Sequence, residues 1–270
     1  MKSYQTALKQ HLGSYKKRRL GVRQNGVYVQ NGERYPHILP RDLKRLNILE
    51  SIRSEFFDYL AHNTGIKLHR DFHHLNSSQA LTFNLFFPFR SGSLAARRCL
   101  ATALGTPGII SDIRFEHKPA TDGTSVDAAC LSDSGHWTYC EVKLSESQFG
   151  IAKADAEHRA KLRRTYAPQL AGHVPEELLD AGPFFASYQI LRNVWLLSLS
   201  EGSHVAFVFP AANASIARHL NYILSLITPS FRARITSVPL EALLDSLRQA
   251  IDLEPRLHTY IDSLAEKYVL

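Results

Sequence analysis

Cysteine is scarce: Cys99, Cys130 and Cys140 are the only three in 270 residues. None has C-x-x-C spacing, which argues against a disulfide framework and against a thiolate zinc site. No apolar run approaches the length of a membrane span, and no signal-peptide h-region opens the chain. A soluble, cytoplasmic protein with no membrane partner is therefore expected. The sequence also lacks G-x-S-x-G, the P-loop pattern and G-x-G-x-x-G, which lowers the α/β-hydrolase, nucleoside-triphosphatase and Rossmann readings. Acids are missing from residues 1–32, although that stretch holds Lys2, Lys9, Lys16, Lys17, Arg18, Arg19 and Arg23. The rest balances at 25 basic against 25 acidic residues, so the formal net charge of +7 belongs to one arm. Its densest part, Lys16, Lys17, Arg18 and Arg19, is expected to bind nucleic acid through counterion release, with a solubilising tail as the plainer alternative.

What is present is an ordinary globular composition, 44% hydrophobic and 21% charged, in a chain long enough to bury a real core. Gly13, Gly21, Gly26, Gly32, Pro36 and Pro40 punctuate residues 1–40, read as a basic, partly irregular arm with one hairpin around Asn31-Gly32. Residues 41–270 read as one domain with helical decorations at both ends. Apolar spacing predicts helices over 42–62, 77–87 (stopped by Pro88), 94–104, 146–166, 184–199, 214–227, 239–251 and 255–268. Period-two segments beginning at Ile113, Thr124 and Trp137 predict an antiparallel meander, and His204–Phe209 a buried strand; residues 232–238 allow one more. The sum is an α/β (α+β) class with a mixed sheet flanked by helices.

The chemistry is sought in Val126-Asp127 and Glu141-Val142-Lys143. Acid-x-Lys occurs three times, at Asp42-Leu43-Lys44, Glu116-His117-Lys118 and Glu141-Val142-Lys143. Only the last lies inside a strand-like run. If Leu131 pairs with Trp137, every pair of partners sums to 268 and Asp127 stands opposite Glu141. Alternation puts Trp137, Tyr139, Glu141 and Lys143 on one face, and Asp127 with Ser125 and Ala129 on one face of the preceding strand. Facing carboxylates repel unless a cation intervenes. Lys143 supplies one charge; Mg²⁺, with Mn²⁺ as a substitute, would supply more, held by Asp127, Glu141 and the Val142 carbonyl. Metal-dependent phosphodiester hydrolysis is the reaction class this arrangement would serve. A surface salt bridge of Asp127 or Glu141 with Lys143 is the purely structural alternative, and on either view Lys143→Ala is expected to spare the fold.

These residues, with Ser77-Ser78-Gln79-Ala80-Leu81, Asn84-Leu85-Phe86, the run from Leu144 to Gly150 and Tyr188-Gln189-Ile190-Leu191-Arg192-Asn193, resemble the PD-(D/E)XK nuclease superfamily, in a bacterial restriction-endonuclease-like branch. The resemblance covers roughly residues 72–210. It implies a restriction-endonuclease-like core with a central four-stranded mixed sheet, Asp127 and Glu141 as metal ligands, and Lys143 as catalytic lysine. Val126 stands where the motif has proline. Gln79 occupies the stretch where many members carry a further acid, for which Glu50, Glu55 and Glu116 are candidates. Gln189 and Arg192 share a helix face and would reach a phosphate or the attacking water. His69, His73 and His74 with Asp71 match no metal motif and read as solvated or capping residues. The expected function is a Mg²⁺-dependent nuclease acting on DNA; a catalytically inactive nucleic-acid-binding protein and an RNA-processing nuclease are the alternatives.

Overall fold

The computed structural model describes residues 3–119 and 122–270. The chain opens with helix α1 (Tyr4–Arg19) and a hairpin of β1 (Gly26–Val27) and β2 (Arg34–Tyr35). Helices α2 (Glu50–His62), α3 (Ser78–Arg90) and α4 (Leu94–Leu104) precede strands β3 (Ile110–His117), β4 (Val126–Ser132) and β5 (Trp137–Val142). Short helices α5 (Ala156–Lys161), α6 (Ala167–Leu170) and α7 (Ala181–Ala186) lead to α8 (Tyr188–Trp195) and strand β6 (His204–Phe209). Then come α9 (Ala214–Ser225), α10 (Pro229–Arg232), β7 (Ile235–Pro239), α11 (Leu240–Gln249) and α12 (Pro255–Tyr268).

Strands β3, β4 and β5 form the expected antiparallel meander, and β6 and β7 continue the sheet in parallel from β5. The mixed sheet flanked by helices is thus observed with five strands rather than four, β7 filling the optional last position. Both faces are apolar, which a sheet covered on two sides requires. Ala128, Cys130, Cys140 and Val142 pack with Phe83, Leu100, Leu244 and Leu264 on one side. Ala129 and Tyr139 pack with Phe184, Leu191 and Leu220 on the other.

Three local expectations are corrected. Pro88 lies inside α3 instead of ending it. A proline leaves the carbonyl four residues back without its amide partner, and here the Tyr260 hydroxyl donates to the Asn84 carbonyl at 2.7 Å instead. The continuous helix over 42–62 divides into a 3₁₀ segment (Arg41–Asn47) and α2. At the break, backbone groups that a helix would use are taken from outside: the Asn47 carbonyl accepts from Asn84 Nδ2 and Lys267 Nζ, and the Leu49 amide donates to Asn84 Oδ1. The helix expected from 146 starts only at Ala156, where Asp155 Oδ1 accepts the His158 amide at 2.9 Å.

The first half of the arm is also regular, not irregular. Ser3 caps α1, and Leu8, Leu12 and Tyr15, spaced for one helix face, are buried. The helix docks on α12, where His11 Nε2 lies 2.9 Å from the Glu266 carbonyl and Arg19 pairs with the Glu266 carboxylate. The expected hairpin follows, with Gly32 taking the positive φ (+75°) its turn requires. Among the described residues, no helix is long and apolar enough to cross a membrane.

Candidate active site

Strands β4 and β5 pair from Leu131↔Trp137 to Ala128↔Cys140, the register read from the sequence. One step further that register sets Asp127 opposite Glu141, where the ladder stops. The Val142 amide donates there to Asp127 Oδ2 at 2.8 Å, so a carboxylate takes the place of a strand-to-strand bond. Asp127 Oδ1 has no hydrogen-bond partner among the described residues.

The face assignment of Asp127 needs correcting, and the reason lies in β3. Glu116, opposite Asp127 in the β3–β4 pairing, has φ +47°, the one positive value among described non-glycine residues. Such a conformation is costly for a side chain with a Cβ. Beyond it the alternation changes phase. Val126 joins the same cluster as Ala129, although two-residue periodicity pairs it with Ala128, and His117 stacks on Trp137 at 4.9 Å. Asp127 sits at this slip, at the mouth of a cleft of about 460 Å³ between the ends of β3 and β4 and the loop that precedes α3.

Glu141 and Lys143 lie behind the cleft rather than in it. Glu141 is 2% exposed, and its oxygens accept from Lys143 Nζ at 2.8 Å, from Asn193 Nδ2 at 3.1 Å and from Gln189 Nε2. Lys143 is itself buried. Desolvation opposes its charge, but the carboxylates of Glu141, Asp127 and Glu146 outweigh it and raise the ammonium above the ordinary lysine range. Desolvation, followed by repulsion from Glu141, pushes the Asp127 carboxyl well up from its ordinary value. The proton that Asp127 retains spares the group a second negative charge beside Glu141, and a cation at the cleft side would take over that part if it displaced the proton.

The accessory candidates divide. Gln79 is on the cleft wall and binds Glu116, its Nε2 donating to Oε1 at 2.8 Å. Glu116 also accepts from Ser125 Oγ at 3.2 Å, and is the candidate third acid that reaches the cleft. Glu55 accepts from Ser91 Oγ, and Glu50 borders a different cavity beside α1. Gln189 ties Glu141 to the 150 loop through the Gly150 amide at 2.7 Å. Arg192 does not reach the cleft. It is 3% exposed, pairs with Asp122 at 3.4 Å and donates to Asn193 Oδ1 at 2.9 Å, so it orients the asparagine that holds Glu141.

Of the basic cluster, Lys16 is withdrawn from any nucleic-acid contact. It is fully buried, and its ammonium donates to the Gln24 carbonyl, Asn25 Oδ1 and the Ile38 carbonyl at 2.8, 2.9 and 3.1 Å. Lys17, Arg18 and Arg19 remain exposed. A second exposed basic group, Lys153, Arg159, Arg163 and Arg164, carried no motif and went unread in the sequence. His73 and His74 are buried rather than solvated. Among the described residues, no three His, Cys, Asp or Glu side chains converge closely enough to hold a metal ion. Asn76 and Ser145, joined at 2.7 Å on the cleft wall, also went unread, because a loop asparagine has no periodicity to mark it.

A family model described as Restriction Endonuclease associating with ARP matches residues 9–269. No curated protein and no solved structure matches the chain.

Proposed function

Since the chain belongs to the family of restriction endonucleases associating with ARP, we propose that it is a nuclease that hydrolyses phosphodiester bonds in DNA with the help of Mg²⁺. The observation that carries this reading is the grouping of Asp127, Glu141 and Lys143 where β4 and β5 separate beside an open cleft. That grouping is also the pattern of the PD-(D/E)XK superfamily. The donor set fits Mg²⁺, which is usually held by one or two carboxylates, waters and substrate phosphate oxygens and needs no cluster of three side chains. Asp127 would hold the ion, with Glu141 and the Val142 carbonyl behind it and Glu116 as the further acid. Mn²⁺ would substitute. When bound, the ion would polarise the phosphodiester and acidify a water.

The chain's own residues have separable tasks in this proposal. Glu141, fixed by Asn193 and Gln189, aims the Lys143 ammonium, which stabilises charge developing on the phosphate. Gln79 and Ser125 restrain Glu116 at the cleft wall. Lys17, Arg18 and Arg19 would contact the nucleic-acid backbone. The test is cleavage of single-stranded DNA, duplex DNA and RNA with Mg²⁺ or Mn²⁺ by the wild-type chain and by Asp127→Asn. Duplex DNA cut by the wild type, with a loss of about 10²-fold or more in the variant, is the expected result. Preferred cutting of RNA would change the substrate.

One observation favours a second reading. Glu141 is almost fully enclosed and its oxygens accept from Lys143, Gln189 and Asn193, an arrangement that also suits a nuclease scaffold that binds nucleic acid without cutting it. Salt-dependent binding with no metal-stimulated cleavage of any of the three substrates would establish that alternative.

A further inference from the structure

Behind the candidate site two charged side chains are buried against each other. Arg192 on α8 is 3% exposed, and the carboxylate of Asp122, which precedes β4, is fully enclosed. Their contact is loose for a pair that has left water: Nε stands 3.4 Å from Oδ2, and Arg192 Nη2 has no hydrogen-bond partner among the described residues. A buried ion pair bonded so incompletely is weak evidence of stability. What this one supplies is direction.

The guanidinium reaches both walls of the site. Arg192 Nη1 donates to Asn193 Oδ1 at 2.9 Å, and Asn193 Nδ2 donates in turn to Glu141 Oε2 at 3.1 Å. Turned over, that amide would set its NH₂ against the guanidinium and its oxygen against the carboxylate, so the arginine decides which way it faces. The same Nη1 donates to the Ser125 carbonyl at 3.3 Å, and the Ser125 hydroxyl donates to Glu116 Oε2 at 3.2 Å. One nitrogen is thus tied to Glu141 by one route and to Glu116 by another. Asp127 lies on the strand between those two acids.

Asp122 is itself held firmly. Its Oδ1 accepts the Thr124 amide at 3.1 Å, and its Oδ2 accepts the Tyr166 hydroxyl at 3.0 Å as well as the Thr124 hydroxyl. Burial opposes the charge, but the Thr124 bonds and Arg192 outweigh it and hold the carboxyl below its ordinary value. Tyr166 arrives through a local departure from α-helical geometry. Leu162–Tyr166 form a π-turn between α5 and α6, and Lys161, five residues before Tyr166, donates to the Asp122 carbonyl. Residues five apart do not share a face of an α-helix; the wider turn brings both to Asp122. Single π-turns of this kind are frequent at functional sites.

Resting on the nuclease reading above, we propose that Asp122 and Arg192 are positioning residues that fix the spacing of Glu116 and Glu141, and with it the preference of the site for Mg²⁺ over larger cations. Mg²⁺ demands a near-ideal octahedron at about 2.0–2.1 Å, whereas Ca²⁺ accepts flexible geometry at about 2.3–2.6 Å. Loosening the acids therefore penalises Mg²⁺ first.

The test reads metal binding without nucleic acid. The chain is titrated with Mg²⁺ and, separately, with Ca²⁺, and the rise in melting temperature gives a dissociation constant for each. Partners that orient metal ligands are typically worth about 10–100-fold in metal affinity or activity. Asp122→Asn and Arg192→Lys, the latter keeping the charge without the planar fork, are each expected to weaken Mg²⁺ by about tenfold or more and Ca²⁺ by less than about threefold. Cleavage of DNA in Mg²⁺ is expected to fall in step. Tyr166→Phe removes a single hydroxyl from Asp122, and decides the matter should both charge variants fail to fold; a loss of about threefold for Mg²⁺ alone is expected. Tyr260→Phe, in α12, is the control for lost stability and is expected to leave the ratio of the two constants unchanged. An equal loss for both ions, or an unchanged ratio in every folded variant of the three, overturns the positioning role and leaves the nuclease reading in place. A wild-type chain that responds to neither ion also overturns it; the nuclease reading falls with it only if that chain cuts no nucleic acid in Mg²⁺.

Discussion

Lys143 shows how far burial changes the meaning of a residue. Read as a surface lysine it is expendable for folding, whereas in the structure its removal leaves the enclosed Glu141 carboxylate without its cation. Breaking a buried pair from one side costs about 3–5 kcal/mol. Lys143→Ala is therefore expected to lose stability as well as activity, and adding Glu141→Gln is expected to restore part of the stability. Chemical denaturation of the single and double variants measures this. Asp127 gives a pH signature of opposite sense to the usual acid. Its folded carboxyl binds a proton more tightly than the unfolded one, whose ordinary value is 3.8. Between that value and the raised one the native state holds more protons, so stability falls as pH rises through the window. Melting temperatures in EDTA should show this decline, and Asp127→Asn should flatten it.

At the scale of elements, regular periodicity was legible and tertiary substitution was not. Helix α4 is bounded as its spacing predicts, Ser93 capping it and Gly105 ending it at φ +67°. The strand register was legible because loop length and alternation fix it. The interruptions come from partners distant in sequence: Tyr260 serves the carbonyl that Pro88 leaves open, and Asn84 and Lys267 divide the first predicted helix. No window of neighbouring residues contains that information. The phase slip at Glu116 escaped for the same reason, so the pairing of Asp127 with Glu141 was readable while the side on which Asp127 emerges was not. Tyr260→Phe tests the proline compensation. It leaves the Asn84 carbonyl one donor short inside the core, and a loss of about 1–3 kcal/mol in urea unfolding is expected. An unchanged midpoint would mean that α3 tolerates Pro88 unaided.

For the whole molecule, the charge asymmetry survives folding in altered form. The arm that carries the net charge of +7 is built into the body, with Lys16 spent on structure and Lys17 and Arg18 left at the surface. If both contact phosphates, replacing them by alanine lowers the slope of log K against log salt by about 0.9 for each. Duplex titrations across a range of salt concentrations measure that slope. No change would move the backbone contacts elsewhere, with Lys153, Arg159, Arg163 and Arg164 the next group to test.

The bond from His11 to the Glu266 carbonyl spans 255 positions, and it has a consequence during synthesis. At about 5–20 residues per second, α1 leaves the ribosome roughly 13–50 s before the helix it docks against. Through that interval Leu8 and Leu12 lack their final berth, and the nascent polypeptide is a natural client for chaperones.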